Sequence, residues 1–291
     1  MAILITGSSG LLGGRLAENL SKKYIIKISK SREFYKYITS DLDCLIHSAS
    51  PNYHDCKDKK IVDDYISQTR KMLDQCQSTN IKKFFFLSST QVYKNVPNKI
   101  LTEDIKIESS KCDEYQSLKL AIEKLFTDFS VDNSRDVITL RISNGYGYPV
   151  DSRANCWHLL VMNICKQIVE KGKVELRSNG EKFLDFIPVN TICDIFNDLM
   201  DSEFKIDSGI YNLTTNNPMK IRDFIIMIAQ IIEKKISKKV IIEFNQLNKD
   251  TSNKIYYSNT KLNNLKLMPA VNHKDELSNL IDYCLSNFTE S

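Results

Sequence analysis

Hydrophobic residues fall along this chain in short unbroken runs separated by longer mixed stretches. The runs Ala2-Ile3-Leu4-Ile5, Cys44-Leu45-Ile46, Phe84-Phe85-Phe86-Leu87 and Val137-Ile138-Thr139-Leu140 show no polar alternation, the pattern of strands buried on both faces. Residues 24–28 read as one more strand. Between the runs, Ile61, Tyr65, Met72, Leu73 and Cys76 fit helical spacing over 61–78, and helices are also expected over 15–22, from Tyr115 through Phe126, over 155–170 and over 219–234. Strands alternating with helices predict an α/β fold with a parallel sheet covered on both faces. Its ligand should sit outside the carboxyl ends of the strands.

The first strand turns directly into Thr6-Gly7-Ser8-Ser9-Gly10-Leu11-Leu12-Gly13 before a helix. Each glycine has a separate task there. Gly7 permits the tight turn, Gly10 lets main chain approach a pyrophosphate, and Gly13 lets helix and strand pack closely. The free N–H groups at the helix start meet the phosphate charge. A dinucleotide site is therefore expected at Gly7, Ser9, Gly10, Leu11, Leu12 and Gly13. After the second strand come Ser29-Lys30-Ser31-Arg32, with no acid before Glu33. An acid there would hold the 2′-hydroxyl of NAD, whereas small and basic residues accommodate the extra phosphate of NADP. NADP(H) is expected over NAD(H), with NAD(H) as the alternative.

Composition narrows the partners. With 291 residues, 42% hydrophobic and 26% charged, the chain resembles ordinary soluble proteins. Its formal charge of +4 is small, with basic and acidic residues interleaved, which argues against nucleic acid or a membrane surface as partner. No leader-like segment precedes the first strand, and no apolar run is long enough to span a bilayer, so a cytoplasmic location is expected. The eight cysteines show no Cys-x-x-Cys pair, and are read as reduced and structural.

The spacing Gly-x-x-Gly-x-x-Gly after Thr6 resembles the extended branch of the short-chain dehydrogenase/reductase superfamily, the NAD-dependent epimerase/dehydratase group, whose members mostly act on nucleotide-linked sugars. Further segments carry the resemblance. His47-Ser48-Ala49-Ser50 is similar to the family's His-x-Ala-Ala, where small residues at Ala49 and Ser50 leave room for cofactor. His47 itself reads as a packed histidine. Arg141-Ile142-Ser143-Asn144-Gly145-Tyr146-Gly147 is similar to Arg-x-x-Asn-x-Tyr-Gly, and Asp185-Phe186-Ile187 to Asp-Phe-Ile. Residues 209–213 match the family's returning strand. The resemblance implies a Rossmann-type doubly wound sheet over 1–150 with a return segment near 185–215. A smaller substrate domain is implied over 151–184 and 216–291. It also implies a homodimer.

Tyr115 and Lys119, four apart on one helical face, are the pair expected to do chemistry. The ammonium is expected to draw the phenol's pKa down, making Tyr115 a proton donor or acceptor, with Lys119 also reaching the nicotinamide ribose. Tyr53 with Lys57 and Tyr257 with Lys261 repeat the spacing but lack this context. The resemblance implies Ser89 as the third member, with Ser88 competing. Relatives that dehydrate sugar nucleotides place an acid pair where Thr90 and Gln91 stand, so a 4,6-dehydratase is disfavoured and both are read as substrate contacts. The resemblance assigns Asn144 to the substrate diphosphate, and, because the family's diphosphate arginine is replaced by Leu184, the charge there is expected from Lys182 or Arg177. The leading expectation is an NADPH-dependent reductase of a keto-sugar nucleotide. The alternatives are a nucleotide-sugar 4-epimerase with bound NAD, a reductase of another carbonyl compound, and a non-catalytic NADP(H) sensor. No metal site is expected.

Overall fold

The computed structural model describes residues 1–29, 31–133, 135–201, 205–245, 253–267 and 271–289. Lys30, one of the residues expected at the cofactor, lies outside the described residues. The chain opens with β1 (Ala2–Thr6), α1 (Leu11–Leu20), β2 (Ile25–Ile28), β3 (Cys44–His47), α2 (Lys59–Gln77) and β4 (Lys83–Ser89). It continues through β5 (Ile100–Leu101), α3 (Glu114–Asn133), β6 (Asp136–Ile142), β7 (Asn144–Tyr146), α4 (Leu160–Lys171) and β8 (Lys173–Leu176). Then follow β9 (Phe183–Leu184), β10 (Phe186–Pro188), α5 (Val189–Leu199), β11 (Gly209–Leu213), β12 (Met219–Lys220) and α6 (Ile221–Ile236). The chain closes with β13 (Ile241–Phe244), β14 (Tyr256–Tyr257), α7 (Thr260–Asn264) and α8 (His273–Phe288).

Six strands form the central sheet in the order β11-β6-β4-β3-β1-β2, every pairing parallel. The unbroken apolar runs are explained by burial on both faces. Alternate residues of β1 go to opposite sides, Ile3 and Ile5 into a cluster with α1, α4, α5, α6 and α8, and Ala2 and Leu4 into one with α2 and α3. Phe85 joins the first cluster and Phe84 and Phe86 the second, so β4 splits the same way. Several helix starts differ from expectation, the first being α1, expected from 15 but beginning at Leu11 directly after the glycine turn. The helix expected from 155 begins at Leu160, and that expected from 219 begins at Ile221, because Met219 and Lys220 instead pair antiparallel with β9.

Between β2 and β3 the described residues form only a one-turn helix, Phe34–Tyr37, packed against α2. β2 therefore ends the sheet, with Ile25 and Ile28 exposed. From β1 the chain runs outward to β2, then crosses back to β3 on the other side of β1. This reversal opens a crevice at the carboxyl ends of β1 and β3, where ligands bind in open α/β sheets.

Candidate active site

The crevice is closed at its base by main chain. Gly7 has φ +71°, a left-handed conformation, and a Cβ there would lie 2.5 Å from the Ala49 nitrogen. A Cβ on Gly13 would lie 2.3 Å from the Gly7 carbonyl oxygen. The turn can pack this closely against β3 and α1 only with hydrogen at those positions. A four-membered ring of hydrogen bonds fixes the opposite wall. Tyr65 Oη donates to the Ala49 carbonyl at 2.6 Å, so toward His47 Nε2, 2.9 Å away, it can only accept. His47 Nδ1 then accepts from Thr6 Oγ1 at 2.8 Å, and Thr6 Oγ1 accepts from the Ala49 N–H at 3.3 Å. Burial pushes the His47 imidazole down to about 3, holding it neutral. His47 is thus a packed structural residue, as its sequence context suggested.

Above this base lies a cleft of about 1320 Å³. Gly7, Ser9, Gly10, Ser29, Ser31, Arg32, Ala49 and Ser50 all line it, whereas Leu11, Leu12 and Gly13 stand behind the turn. Among the described residues, four buried side-chain polar atoms have no hydrogen-bond partner, and two of them, Ser29 Oγ and Gln68 Oε1, belong to residues of this lining. Unpaired buried polar atoms of this kind are costly, and a polar ligand in the cleft would satisfy them. A glycine cradle at a helix start, small residues opposite and orphaned polar atoms between them fit a dinucleotide.

At the end of β4 the structure brings Ser89, Tyr115 and Lys119 together. The half-buried Tyr115 phenol lies near the Ser89 hydroxyl, which acts on its ionisation. Lys119 is buried, donates to the Leu87 carbonyl at 3.1 Å, and lies 5.7 Å from the Tyr115 ring centre. The electrostatics depart from expectation. Burial raises the Tyr115 phenol to about 12, with the nearby Ser89 hydroxyl opposing, and the ammonium does not bring it down. The reason is geometric, because Lys119 is turned to main-chain oxygen. Burial instead lowers Lys119 to about 8, against the attraction of Glu123.

Ser88 is committed elsewhere. Its hydroxyl donates to Glu123 at 2.5 Å, and Glu123 is held by Arg141 through bonds of 3.0 and 2.6 Å. Arg141 also donates to Tyr93 Oη, which donates to Asn212. These groups form a continuous buried network behind the site. Thr90 turns inward to Tyr257, which leaves Gln91 as the exposed member of its pair. Asn144 is half-buried, with Nδ2 donating to the Asp185 carbonyl at 2.8 Å. Lys182 is exposed on the approach to β9, and Leu184 pairs with Met219. Lys261 binds Asp104 at 3.1 Å, whereas Tyr53, set aside on sequence grounds, packs its ring 6.1 Å from that of Tyr115.

Sequence reasoning missed Asp64, Tyr65 and Gln68 as cleft residues and Val150–Arg153 as its far rim. It also missed Cys56, buried and close enough to act electrostatically on Tyr115 and Lys119. Of these, only Tyr65 is singled out by the sequence, and then as an apolar position of the helix expected over 61–78. Among the described residues no group of His, Cys, Asp and Glu could hold a metal ion, and no helix is long and apolar enough to cross a membrane.

Fold and crevice together define a Rossmann-type α/β protein with a glycine turn at its topological switch point. The model of the NAD dependent epimerase/dehydratase family matches residues 3–214, and the chain belongs to that family of enzymes. A dTDP-D-glucose 4,6-dehydratase of Dictyostelium discoideum is 23% identical over 262 residues, 74% of this chain and 58% of its own length. This chain thus spans little more than half of that relative. A UDP-glucuronic acid 4-epimerase from Bacillus cereus in complex with NAD superposes with a TM-score of 0.79 at 18% identity, covering 99% of this chain and 100% of its own. RMD from Pseudomonas aeruginosa complexed with NADPH gives 0.79 and 18%, covering 98% and 99%.

Proposed function

We propose that this chain reduces a keto group on a sugar nucleotide, using NADPH. The observation that carries the reading is the convergence of the Ser89 hydroxyl, the Tyr115 phenol and the Lys119 ammonium at the carboxyl end of β4, beside the glycine-lined cleft. When bound, the reduced nicotinamide supplies the hydride that goes to the carbonyl carbon. Tyr115, whose raised pKa keeps it protonated at neutral pH, gives its Oη proton to the carbonyl oxygen, so that hydride and proton together yield the alcohol. Ser89 Oγ, next to that phenol, donates to the same oxygen and orients it. Lys119, titrating near 8, replenishes the proton and reaches the ribose of the cofactor. Asn144, Lys182 and Gln91 are assigned to the substrate.

The choice of NADPH is supported by the loop after β2. Ser29, Ser31 and Arg32 line the cleft there, while the nearest acid on that loop, Glu33, accepts from Lys36 at 2.7 Å and from Tyr35 at 3.2 Å. The epimerases among the similar structures support a second reading, a 4-epimerase that oxidises and re-reduces one carbon with retained NAD. The two separate in one assay. Reduction consumes NADPH stoichiometrically with a keto-sugar nucleotide, whereas the epimerase needs no added cofactor and is purified with NAD. Tyr115→Phe is expected to abolish NADPH consumption, by about 10³-fold or more, as loss of a positioned acid would. Unchanged turnover in that variant overturns the mechanism.

A further inference from the structure

Where the chain runs from β2 to β3 through a single turn, the cleft has its outer wall built from α2. Ile61, Asp64, Tyr65 and Gln68 all line it from that helix. Phe34, from the short turn packed on α2, adds a buried aromatic edge beside them. Apolar surface for a flat ring is thus gathered on the α2 side. The polar Ser29, Ser31 and Arg32 collect at the end of β2.

Gln68 has a particular electrostatic arrangement. Its Nε2 donates to Asp64 Oδ1 at 3.3 Å, one turn back along α2. An ionised carboxylate only accepts hydrogen bonds, so this contact fixes which way the amide faces. Oε1 is therefore the atom presented away from Asp64, and it is the buried oxygen that lacks a partner. It requires a donor. Ser29 Oγ, on a residue only 9% exposed, is the second orphan of the same cleft.

We infer that Gln68 is the residue that selects the purine of the cofactor, its Oε1 accepting a hydrogen bond from the exocyclic amine of adenine, with Asp64 as the positioning residue that sets the amide. Ser29 Oγ serves the adjoining ribose. The inference rests on the dinucleotide reading of the cleft and adds the group that recognises the base. A hypoxanthine ring carries a carbonyl oxygen where adenine carries its amine. Two acceptors would then face each other, and Gln68 could not turn its amide without placing oxygen against Asp64.

Calorimetric binding of NADPH and of its hypoxanthine counterpart tests this without recourse to turnover. The intact chain is expected to bind the adenine form about tenfold more tightly, the loss that accompanies one unmade buried hydrogen bond. Gln68→Met, which keeps the length of the side chain, should bring the two affinities within about twofold, with the melting temperature unchanged. Asp64→Asn should narrow the preference as well, because an asparagine can accept or donate and leaves the Gln68 amide free to turn. A preference that survives undiminished in Gln68→Met, or its absence from the intact chain, overturns the assignment of Gln68. Failure of both dinucleotides to bind the intact chain overturns the cofactor reading itself, a different result from either.

Discussion

The glycine-lined cleft and the neighbouring end of β4 are built on opposite plans. At the crevice of β1 and β3 the wall is main chain and glycine, and the side chains that line it, Ser29 and Gln68, carry buried polar atoms without partners. At the end of β4 the polar side chains are already paired in the protein. Ser88, Glu123, Arg141, Tyr93 and Asn212 form one buried chain of hydrogen bonds, and Lys119 is satisfied by the Leu87 carbonyl. One is a template whose polar groups await a ligand. The other is preorganised, holding its reactive groups in place before any substrate arrives. A disturbance should therefore register as lost binding at the first and as lost stability or rate at the second.

The largest effect is expected from Gly13→Ala. The new methyl carbon would sit 2.3 Å from the Gly7 carbonyl oxygen and 2.7 Å from its carbon, and neither can retreat without moving the turn away from β3. Several kcal/mol of stability should be lost, beyond the 1–3 kcal/mol of ordinary overpacking, read as a lower urea midpoint together with loss of dinucleotide binding. A variant that binds and melts like the parent would show that the turn is not a fixed template. Arg141→Met comes next. It leaves the Glu123 carboxylate buried with only Ser88 as partner, which should cost about 3–5 kcal/mol in urea denaturation. Adding Glu123→Gln should recover much of that loss by removing the bare charge. If the double variant is no more stable than the single, the network acts through packing alone.

These contrasts also explain what the sequence could disclose. The turn at Gly7 was legible because glycine spacing reports main-chain geometry directly, and Tyr115 was legible because a hydroxyl-bearing strand end and a long helix frame it. The shortened link between β2 and β3 could be counted from Arg32 to Asp43. Gln68 and Glu123 could not be read in this way. Each is one polar residue among many on an amphipathic helix, and its meaning depends on a partner such as the cleft or Arg141 that only the fold brings near. The protonation of Tyr115 shows the same limit. A spacing of four residues places Lys119 on the same face, but not where its ammonium ends, and the Leu87 carbonyl captures it.

A smaller effect, confined to acid solution, is expected at His47, which belongs to the wall of the crevice. Its pKa is about 3 in the folded chain and about 6.5 when unfolded. Between those values the unfolded chain binds the extra proton, so stability is fully present above 6.5 and is lost as pH falls toward 3. At pH 5 the loss amounts to about 2 kcal/mol. His47→Gln should show a flatter decline in stability between pH 7 and 4, at some constant cost from the altered hydrogen-bond ring. An acid limb as steep as the parent's would place the titration elsewhere.

The smallest expected effect sharpens the comparison at the rim. Arg153 pairs with Asp151 in bonds of 3.0 and 2.8 Å, yet its side chain is 87% exposed, and both residues line the mouth of the cleft. An exposed ion pair of this kind contributes little to folding, so Arg153→Ala should alter stability by about 0.5 kcal/mol or less. Arg153 nevertheless lines the same cleft as the glycine turn, so its charge can act on a pyrophosphate held there. Weakened dinucleotide binding of about twofold to fivefold is expected, most evident at low ionic strength and vanishing above about 0.5 M salt, where charges beyond a few ångströms are screened. A stability loss comparable to that of Arg141→Met would mean that the rim belongs to the preorganised end after all. A binding loss indifferent to salt would mean that Arg153 acts through the shape of the 150–153 loop and not through its charge.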